Sequence, residues 1–155
     1  MPATGTPMTD VHALLLPVGT DLHALPVDWA REVVAGPTLT PLATAPQVVI
    51  GLFNLRGQIV PLFDTAALLG LGRVETVAFA VVVNSAHGLA ALATTGVPQR
   101  RMLDTPAGPS DLPGTTGLYQ VGRQAAALLD PAALLSPERV RDPAARLDLA
   151  SNGDG

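Results

Sequence analysis

The chain has 155 residues, of which 48% are hydrophobic, so it is long enough and apolar enough to bury one core. It contains no cysteine, which excludes a disulfide framework and a thiolate metal site and leaves the cytoplasm as the expected compartment. Its formal net charge is −4, and its nine basic residues form no cluster larger than Arg100-Arg101, so nucleic acid is not an expected partner.

The N-terminal residues predict a short flexible segment followed by a hairpin. Residues 1–9 carry neither the basic start nor the long apolar core of a secretory signal, and we expect them to be flexible. Apolar runs at residues 11–16 and 22–25 flank Gly19-Thr20-Asp21, a pattern typical of two strands joined by a turn.

Two polar features of this region have local explanations. His12 and His23 lie on opposite strands of the predicted hairpin and could face each other. Two imidazoles alone make a poor zinc site, so no metal and no cofactor is expected. Asp28 is placed to cap one short helical turn that runs through Glu32.

A second hairpin and a short helix follow. Residues 49–55 and 58–63 are strand-like and are separated by Arg56-Gly57, where Gly57 can supply the positive φ that a tight turn needs. Asp64 then stands where the N-cap of a short helix over residues 65–69 is expected.

The uncharged stretch at residues 76–99 superficially resembles a membrane span. A turn cluster at residues 84–88 divides it into a β-branched run at residues 77–83 and a second run at residues 89–93. This pattern predicts a hairpin, and membrane insertion is not expected.

The strand–turn–strand–helix pattern occurs twice. Residues 51–69 align without a gap on residues 117–135. Because the inward-facing apolar set is kept in both copies, the chain is predicted to be all-β, with two related halves that form small barrels or curled sheets side by side. The identical pairs are Gly51/Gly117, Leu52/Leu118, Gln58/Gln124, Leu62/Leu128 and Asp64/Asp130.

Two segments lack strand patterns. Residues 106–114 are rich in proline and glycine and are predicted to be a solvent loop between the halves. Residues 136–155 are charged and without strand periodicity, so we expect a flexible C-terminal tail with at most a weak helix at residues 143–149. The folded domain is accordingly predicted to span residues 10–135.

The repeated aspartates raise the question of catalysis. Two equivalent carboxylates in a pseudo-symmetric β protein could share one proton, as the aspartic proteases do. Asp64-Thr65-Ala66 and Asp130-Pro131-Ala132 both lack the glycine of such sites, and Pro131 has no amide to donate. Helix capping explains both aspartates better, and no catalytic centre is predicted.

The first hairpin turn differs between the two copies. Asn54-Leu55-Arg56-Gly57 corresponds to Gln120-Val121-Gly122-Arg123 in the second copy. Arg56 is either a solvated turn residue, an interface anchor, or the partner of a nearby acid such as Glu32.

Three segments in their order and spacing are similar to the CheW family. They are residues 27–33 with Glu32, the Pro-flanked residues 40–46, and residues 51–64, in which Asn54-Leu55-Arg56-Gly57 leads to a strand that ends at Asp64. The resemblance covers roughly residues 10–135 and is strongest between residues 24 and 72.

The resemblance implies two intertwined five-stranded barrels with short helices and a non-catalytic adaptor function. Members of the family bind the regulatory domain of the CheA histidine kinase and the cytoplasmic tip of chemoreceptors. The positions that carry over as a binding and structural region are Glu32, Gly51, Asn54, Arg56 and Gly57.

The sequence also departs from the family pattern. Thr94 stands where an aspartate is expected, and Ala125-Ala126-Ala127 replaces a strand of larger aliphatic residues. The chain is therefore interpreted as an adaptor between receptors and a kinase. A diverged adaptor of a pilus or developmental kinase system is the first alternative, and an aspartate-dependent hydrolase is the remote one.

Overall fold

The computed structural model describes residues 10–141, which form two β-sheets and three short α-helices. The strands are β1 (Val11–Val18), β2 (Asp21–Pro26), β3 (Ala30–Ala35), β4 (Val49–Leu55), β5 (Gln58–Phe63), β6 (Phe79–Ser85), β7 (Gly88–Thr94), β8 (Gln99–Leu103), β9 (Pro106–Gly108), β10 (Thr115–Val121) and β11 (Gln124–Leu129). The helices are α1 (Thr65–Leu68), α2 (Pro131–Leu134) and α3 (Pro137–Arg141).

The six-stranded sheet takes strands from both ends of the chain. Its order is β8-β1-β2-β11-β10-β9. The five-stranded sheet has the order β3-β6-β7-β5-β4, and its strands all come from one continuous segment of the chain. The hairpin β1–β2 joins the later strands through a parallel pairing in which Ala127 lies opposite His23. An equivalent parallel pairing places Leu62 of β5 opposite Ala91 of β7. The two halves are therefore intertwined.

The two sheets share one arrangement of five strands. The order β8-β1-β2-β11-β10 corresponds to β3-β6-β7-β5-β4, because each set has two hairpins joined by one parallel pair. This confirms the predicted all-β fold of two related halves. The solvent loop predicted at residues 106–114 is wrong for its first three residues, which form the exposed edge strand β9 on β10. These residues form backbone hydrogen bonds with the otherwise unpaired edge of β10, although their composition is typical of a loop.

The predicted repeat is visible as two hairpins with capped helices. Phe53 pairs with Val60 in the first hairpin, and Tyr119 pairs with Ala126 in the second. The Asp64 carboxylate accepts a hydrogen bond of 3.0 Å from the amide of Ala67, as the N-cap prediction requires. Asp130 caps α2 in the same way, accepting from the amide of Ala133 at 3.4 Å.

One apolar cluster holds the two sheets together. It contains inward-facing residues of both sheets and of α1 and α2, so burial of either sheet depends on the other. Its fully buried members include Leu16, Leu25, Leu68, Leu92, Leu129 and Leu134. Each sheet also has a smaller cluster of its own, centred on Phe53 in one and Tyr119 in the other.

The helical turn predicted from Asp28 to Glu32 is wrong. A 3₁₀ turn spans only Val27–Trp29, its N-cap is Pro26, and Asp28 makes no capping bond. Glu32 lies instead in β3, where it pairs with Val82 of β6. The β-branched residues that follow Glu32 favour a strand, and pairing with β6 outweighs a single helical turn.

The predicted tail begins with an ordered helix. Within residues 136–155, α3 occupies Pro137–Arg141, and Val140 packs against the shared cluster. The Arg139 guanidinium donates from Nε to the Leu68 carbonyl at 3.1 Å, satisfying a carbonyl at the end of α1. The tail prediction is therefore wrong for this helix, while residues 142–155, with the proposed helix at 143–149, and residues 1–9 lie outside the described residues.

The uncharged stretch at residues 76–99 forms a hairpin, as its turn cluster predicts. Phe79–Ser85 pairs antiparallel with Gly88–Thr94 from end to end. Among the helices of residues 10–141, none has the length and apolar character to cross a membrane.

Candidate functional site

The turn between β4 and β5 has an unusual backbone. Leu55 pairs with Gln58, so Arg56 and Gly57 alone form the turn, with φ of 50° and 90°. Positive φ at both positions is typical of a type I′ hairpin, in which asparagine or glycine is favoured first. Within residues 10–141, Arg56 is the sole residue other than glycine with positive φ. The backbone at Arg56 is therefore in a conformation that an arginine rarely adopts.

Asn54 and Gly57 shape the turn. The Asn54 side chain accepts a hydrogen bond of 2.9 Å at Oδ1 from the amide of Gly57. Gly57 adopts the left-handed conformation without steric cost because it has no Cβ. Both residues therefore position Arg56.

Arg56 forms a two-point ion pair with Glu32. Its Nη1 donates to Oε2 of Glu32 at 3.2 Å, and its Nη2 donates to Oε1. The hydrogen bond from Arg56 lowers the pKa of Glu32, and the same bond raises the pKa of Arg56. The Arg56 side chain is 69% exposed and that of Glu32 is 28% exposed, so the pair lies at the surface.

The ion pair spans a seam in the five-stranded sheet. Glu32 lies in β3 and Arg56 follows β4, and these strands are the two opposite edges of that sheet. Contact between them shows that the sheet curls until its edges approach each other. The pair bridges these edges at the surface.

Gly51 is placed for close packing and not for surface contact. It is buried in β4, and a Cβ at this position would lie 3.0 Å from the carbonyl oxygen of Thr40. Thr40 approaches because it exchanges two backbone hydrogen bonds with Leu52, of 2.7 and 2.8 Å. The structure thus brings together four of the five predicted site residues and gives Gly51 a supporting position behind them.

An apolar groove lies along the seam. It has a volume of about 600 Å³ and includes residues of both edge strands. Ile59, directly opposite Asn54 in β5, lines this groove and is 61% exposed. We name the surface formed by Glu32, Asn54, Arg56 and Ile59 the seam face. The sequence analysis missed Ile59, although strand alternation points it outward beside the buried Val60.

The two aspartates examined for catalysis are engaged with backbone amides. The Asp64 carboxylate is 3% exposed and accepts from the amides of Ala67 and Val74. Asp130 accepts from the amide of Ala133. The bonds from Ala67 and Ala133 are those of helix caps, which supports the interpretation drawn from the sequence.

His12 and His23 do not face each other. The short turn sets a register in which His23 lies opposite Leu16, whereas His12 pairs with Met102 of β8. His23 is buried and His12 is exposed. In the part of the chain that the structure describes, no three histidine, aspartate or glutamate side chains are grouped as metal ligands.

Both departures from the family pattern lie in or beside the core. Thr94 is fully buried, and its hydroxyl donates to the carbonyl of Gly96 at 2.8 Å. Ala126 and Ala127 are buried, and Ala125 is exposed. These small side chains thin the six-stranded sheet where β11 meets β2.

Comparisons with known proteins identify the family and the fold of the chain. The CheW-like domain family matches residues 12–139. The crystal structure of the scaffolding protein TtCheW from Thermoanaerobacter tengcongensis is similar, with a TM-score of 0.71 at 18% identity over 82% of this chain and 93% of that chain. At that identity the likeness is one of fold. No curated protein matches the chain. The match over most of its length shows that the chain belongs to the CheW-like domain family, a family of scaffold proteins in chemotaxis.

Proposed function

We propose that this chain is a non-catalytic cytoplasmic adaptor that couples chemoreceptors to a CheA-type histidine kinase, and that it binds one of these partners through the seam face. The observation that carries the proposal is the exposed Arg56, held in a left-handed backbone conformation and oriented by Glu32. Such a side chain is preorganised for a partner, because two bonds to Glu32 already restrict its rotamers.

The chemistry of the seam face supports protein binding. A guanidinium has five N–H donors, and Glu32 uses only part of them, so Arg56 can also bind a carboxylate or carbonyl of a partner. Exposed Ile59 and the groove that it lines with Asn54 offer apolar area on the same hairpin. Arginine next to apolar pockets is the usual composition of an interface hot spot.

Family membership supports two partners in general terms. The regulatory domain of a CheA-type kinase and the cytoplasmic tip of a methyl-accepting chemoreceptor are proposed here for this chain. An adaptor role in a pilus or developmental kinase system is the alternative, which binding to kinase domains of each system would distinguish. The hydrolase alternative is disfavoured because Asp64 and Asp130 are occupied as helix caps.

The test is a titration of Arg56 variants of the full chain against a kinase regulatory domain and a receptor-tip peptide. Arg56→Ala is expected to raise the dissociation constant of at least one complex by about thirtyfold, the scale of a hot-spot residue. Arg56→Lys is expected to bind poorly as well, because an ammonium cannot reproduce a two-point contact.

Two further variants make the titration decisive. Arg56→Gly suits the positive φ of the turn, so its loss of affinity is not explained by misfolding. Arg123→Ala alters the equivalent turn of the second half and should leave both affinities unchanged. Wild-type affinity of Arg56→Ala for both partners would reduce Arg56 to an ordinary turn residue and overturn the proposed site.

A further inference from the structure

An apolar pocket lies beside β5 and β7, where α3 packs on the first half of the molecule. It has a volume of about 320 Å³ and is lined by these two strands, by the β6–β7 turn, by the end of α2 and by α3. Its lining is apolar apart from Ser85 and His87 at the turn. The pocket therefore offers packing to an apolar side chain and little hydrogen bonding.

The described part of the chain ends beside this pocket. α3 ends at Arg141, and Val140, one residue earlier, lines the pocket. The position of α3 is fixed, because Nε of the Arg139 guanidinium donates to the Leu68 carbonyl at 3.1 Å. The segment that follows α3 therefore starts at the rim of the pocket and needs no linker to reach it.

The first residues of that segment repeat the sequence that starts α2. Asp142-Pro143-Ala144-Ala145 is identical to Asp130-Pro131-Ala132-Ala133. In α2 the Asp130 side chain accepts from the amide of Ala133, and the proline stands in the first turn. An aspartate N-cap followed by proline favours a helix start. The second copy of the motif therefore predicts a helix that begins after Asp142.

The same motif indicates which side chain of the segment enters the pocket. Leu147 is the fifth residue after Asp142, just as Leu135 is the fifth after Asp130, and Leu135 is buried and lines the pocket. Leu147 and Leu149 are the two large apolar residues of the sequence from 142 to 155. At helical spacing, residues two apart point to nearly opposite sides, so one of these leucines faces the pocket and the other does not.

We propose that the pocket beside β5 and β7 is the docking site of the chain's own segment after α3, with Asp142 as the N-cap of a short helix and Leu147 packed against Val140. A short helix is marginal in water by itself, and the apolar pocket supplies the packing that it lacks. The segment is tethered at the rim, where its effective concentration is on the order of millimolar, which favours it over a second copy of the chain. The proposal is independent of partner binding at the seam face.

The test is NMR of the full-length chain and of two matched leucine variants. Leu147→Asp is expected to shift the methyl resonances of Leu89 and Ala90, which line the pocket, and to abolish amide-exchange protection at residues 146–149. Leu149→Asp adds the same charge to the same segment and should leave the pocket resonances in place. The methyl group of Ala127, in the corresponding pocket beside β11 and β2, should not shift in either variant.

Substitutions at Asp142 test the helix start separately from the pocket. Asp142→Ala should reduce the amide-exchange protection of residues 146–149 about fivefold, the effect of one lost cap, whereas Asp142→Asn should retain it. The proposal is overturned if Leu147→Asp shifts no pocket resonance, or if the two leucine variants shift these resonances equally. Pocket resonances that move when the wild-type chain is diluted would assign the pocket to a second copy and would also overturn it.

Discussion

The two halves of the molecule share their strand order and their capped hairpins but differ at one hairpin turn and in the pocket beside their parallel strands. The turn between β4 and β5 carries Arg56 at positive φ, whereas in the turn between β10 and β11 Gly122 takes the positive φ, of 60°. Glycine is the residue that this geometry favours. The second half therefore has a glycine at the first turn position, where positive φ has no steric cost. The first half has an arginine at the same position, where positive φ is disfavoured.

The second difference lies in the pockets. The pocket beside β5 and β7 in the first half, of about 320 Å³, is lined by Pro61 and Ala90. The corresponding pocket beside β11 and β2 in the second half is lined by Ala127 and His23. The shared features are those that any such half needs in order to fold, namely apolar alternation and aspartate caps. The features that differ are surface charge and buried polarity, which folding does not require. The comparison therefore separates the scaffold from the candidate sites.

The largest effect is expected at the two cap residues, which the sequence alone treats as equal. Asp64 is buried and its carboxylate accepts from the amides of both Ala67 and Val74, whereas Asp130 is half-buried and accepts from one amide. Asp64→Ala should lower the free energy of unfolding by about 2–3 kcal/mol, since it removes a cap and leaves the Val74 amide unpaired. Asp130→Ala should cost about 1 kcal/mol, the usual value of a cap.

Urea denaturation of both variants measures the difference. Asp64→Asn separates the cap from the Val74 contact, because asparagine caps a helix but offers one acceptor oxygen in place of two. The sequence alone predicts that this substitution is nearly silent, whereas the second bond to Val74 now predicts a measurable loss. Equal costs for Asp64→Ala and Asp130→Ala would contradict the role assigned to the Val74 contact.

A smaller effect is expected at the equivalent glycines Gly51 and Gly117. A Cβ at Gly51 would lie 3.0 Å from the carbonyl oxygen of Thr40, whereas at Gly117 the nearest atom would be 3.7 Å away. Gly51→Ala should therefore lower the free energy of unfolding by about 1–2 kcal/mol, because the backbone of Thr40 must move. Gly117→Ala meets ordinary van der Waals distances and should be neutral within about 0.5 kcal/mol. A loss at Gly117 as large as that at Gly51 would show that the two strands are equally crowded.

The fold was predictable where local signals and packing agree. β4, β5 and the cap at Asp64 lie where alternation and capping place them, and the repeat predicted their second copy. The prediction failed where a distant partner decides the structure. β9 forms because β10 has a free edge, and α3 is ordered because Arg139 reaches the Leu68 carbonyl.

The candidate site was predictable only in part for the same reason. The resemblance and the turn motif pointed to Arg56, and the Glu32 partner is present in the structure. The exposure of Ile59 follows from strand alternation beside the buried Val60, a signal that the sequence carries. The role of Gly51 depends instead on the approach of Thr40. The contact with Thr40 leaves no pattern in the nearby sequence. The binding role of the seam face stays a prediction.

The smallest effect is expected from pH, and it belongs to the half that contains His23. Burial lowers the pKa of His23 below its ordinary value of 6.5, so the unfolded chain takes up this proton more readily than the folded chain. Stability is therefore complete above pH 6.5 and declines as the pH falls from there toward the folded pKa. The slope contributed by one proton is at most about 1.4 kcal/mol per pH unit.

Urea titrations at several pH values between neutral and mildly acidic conditions measure this decline. Asp21 is the one charged residue that lines the pocket among the described residues, and its attraction for a protonated His23 opposes the effect of burial without reversing it. His23→Phe should flatten the profile in this range, because the remaining ring does not titrate. His87→Gln removes an exposed histidine and should leave the profile as it is. A decline that persists in His23→Phe would place its origin outside the pocket, and the two halves would then no longer differ in their response to protons.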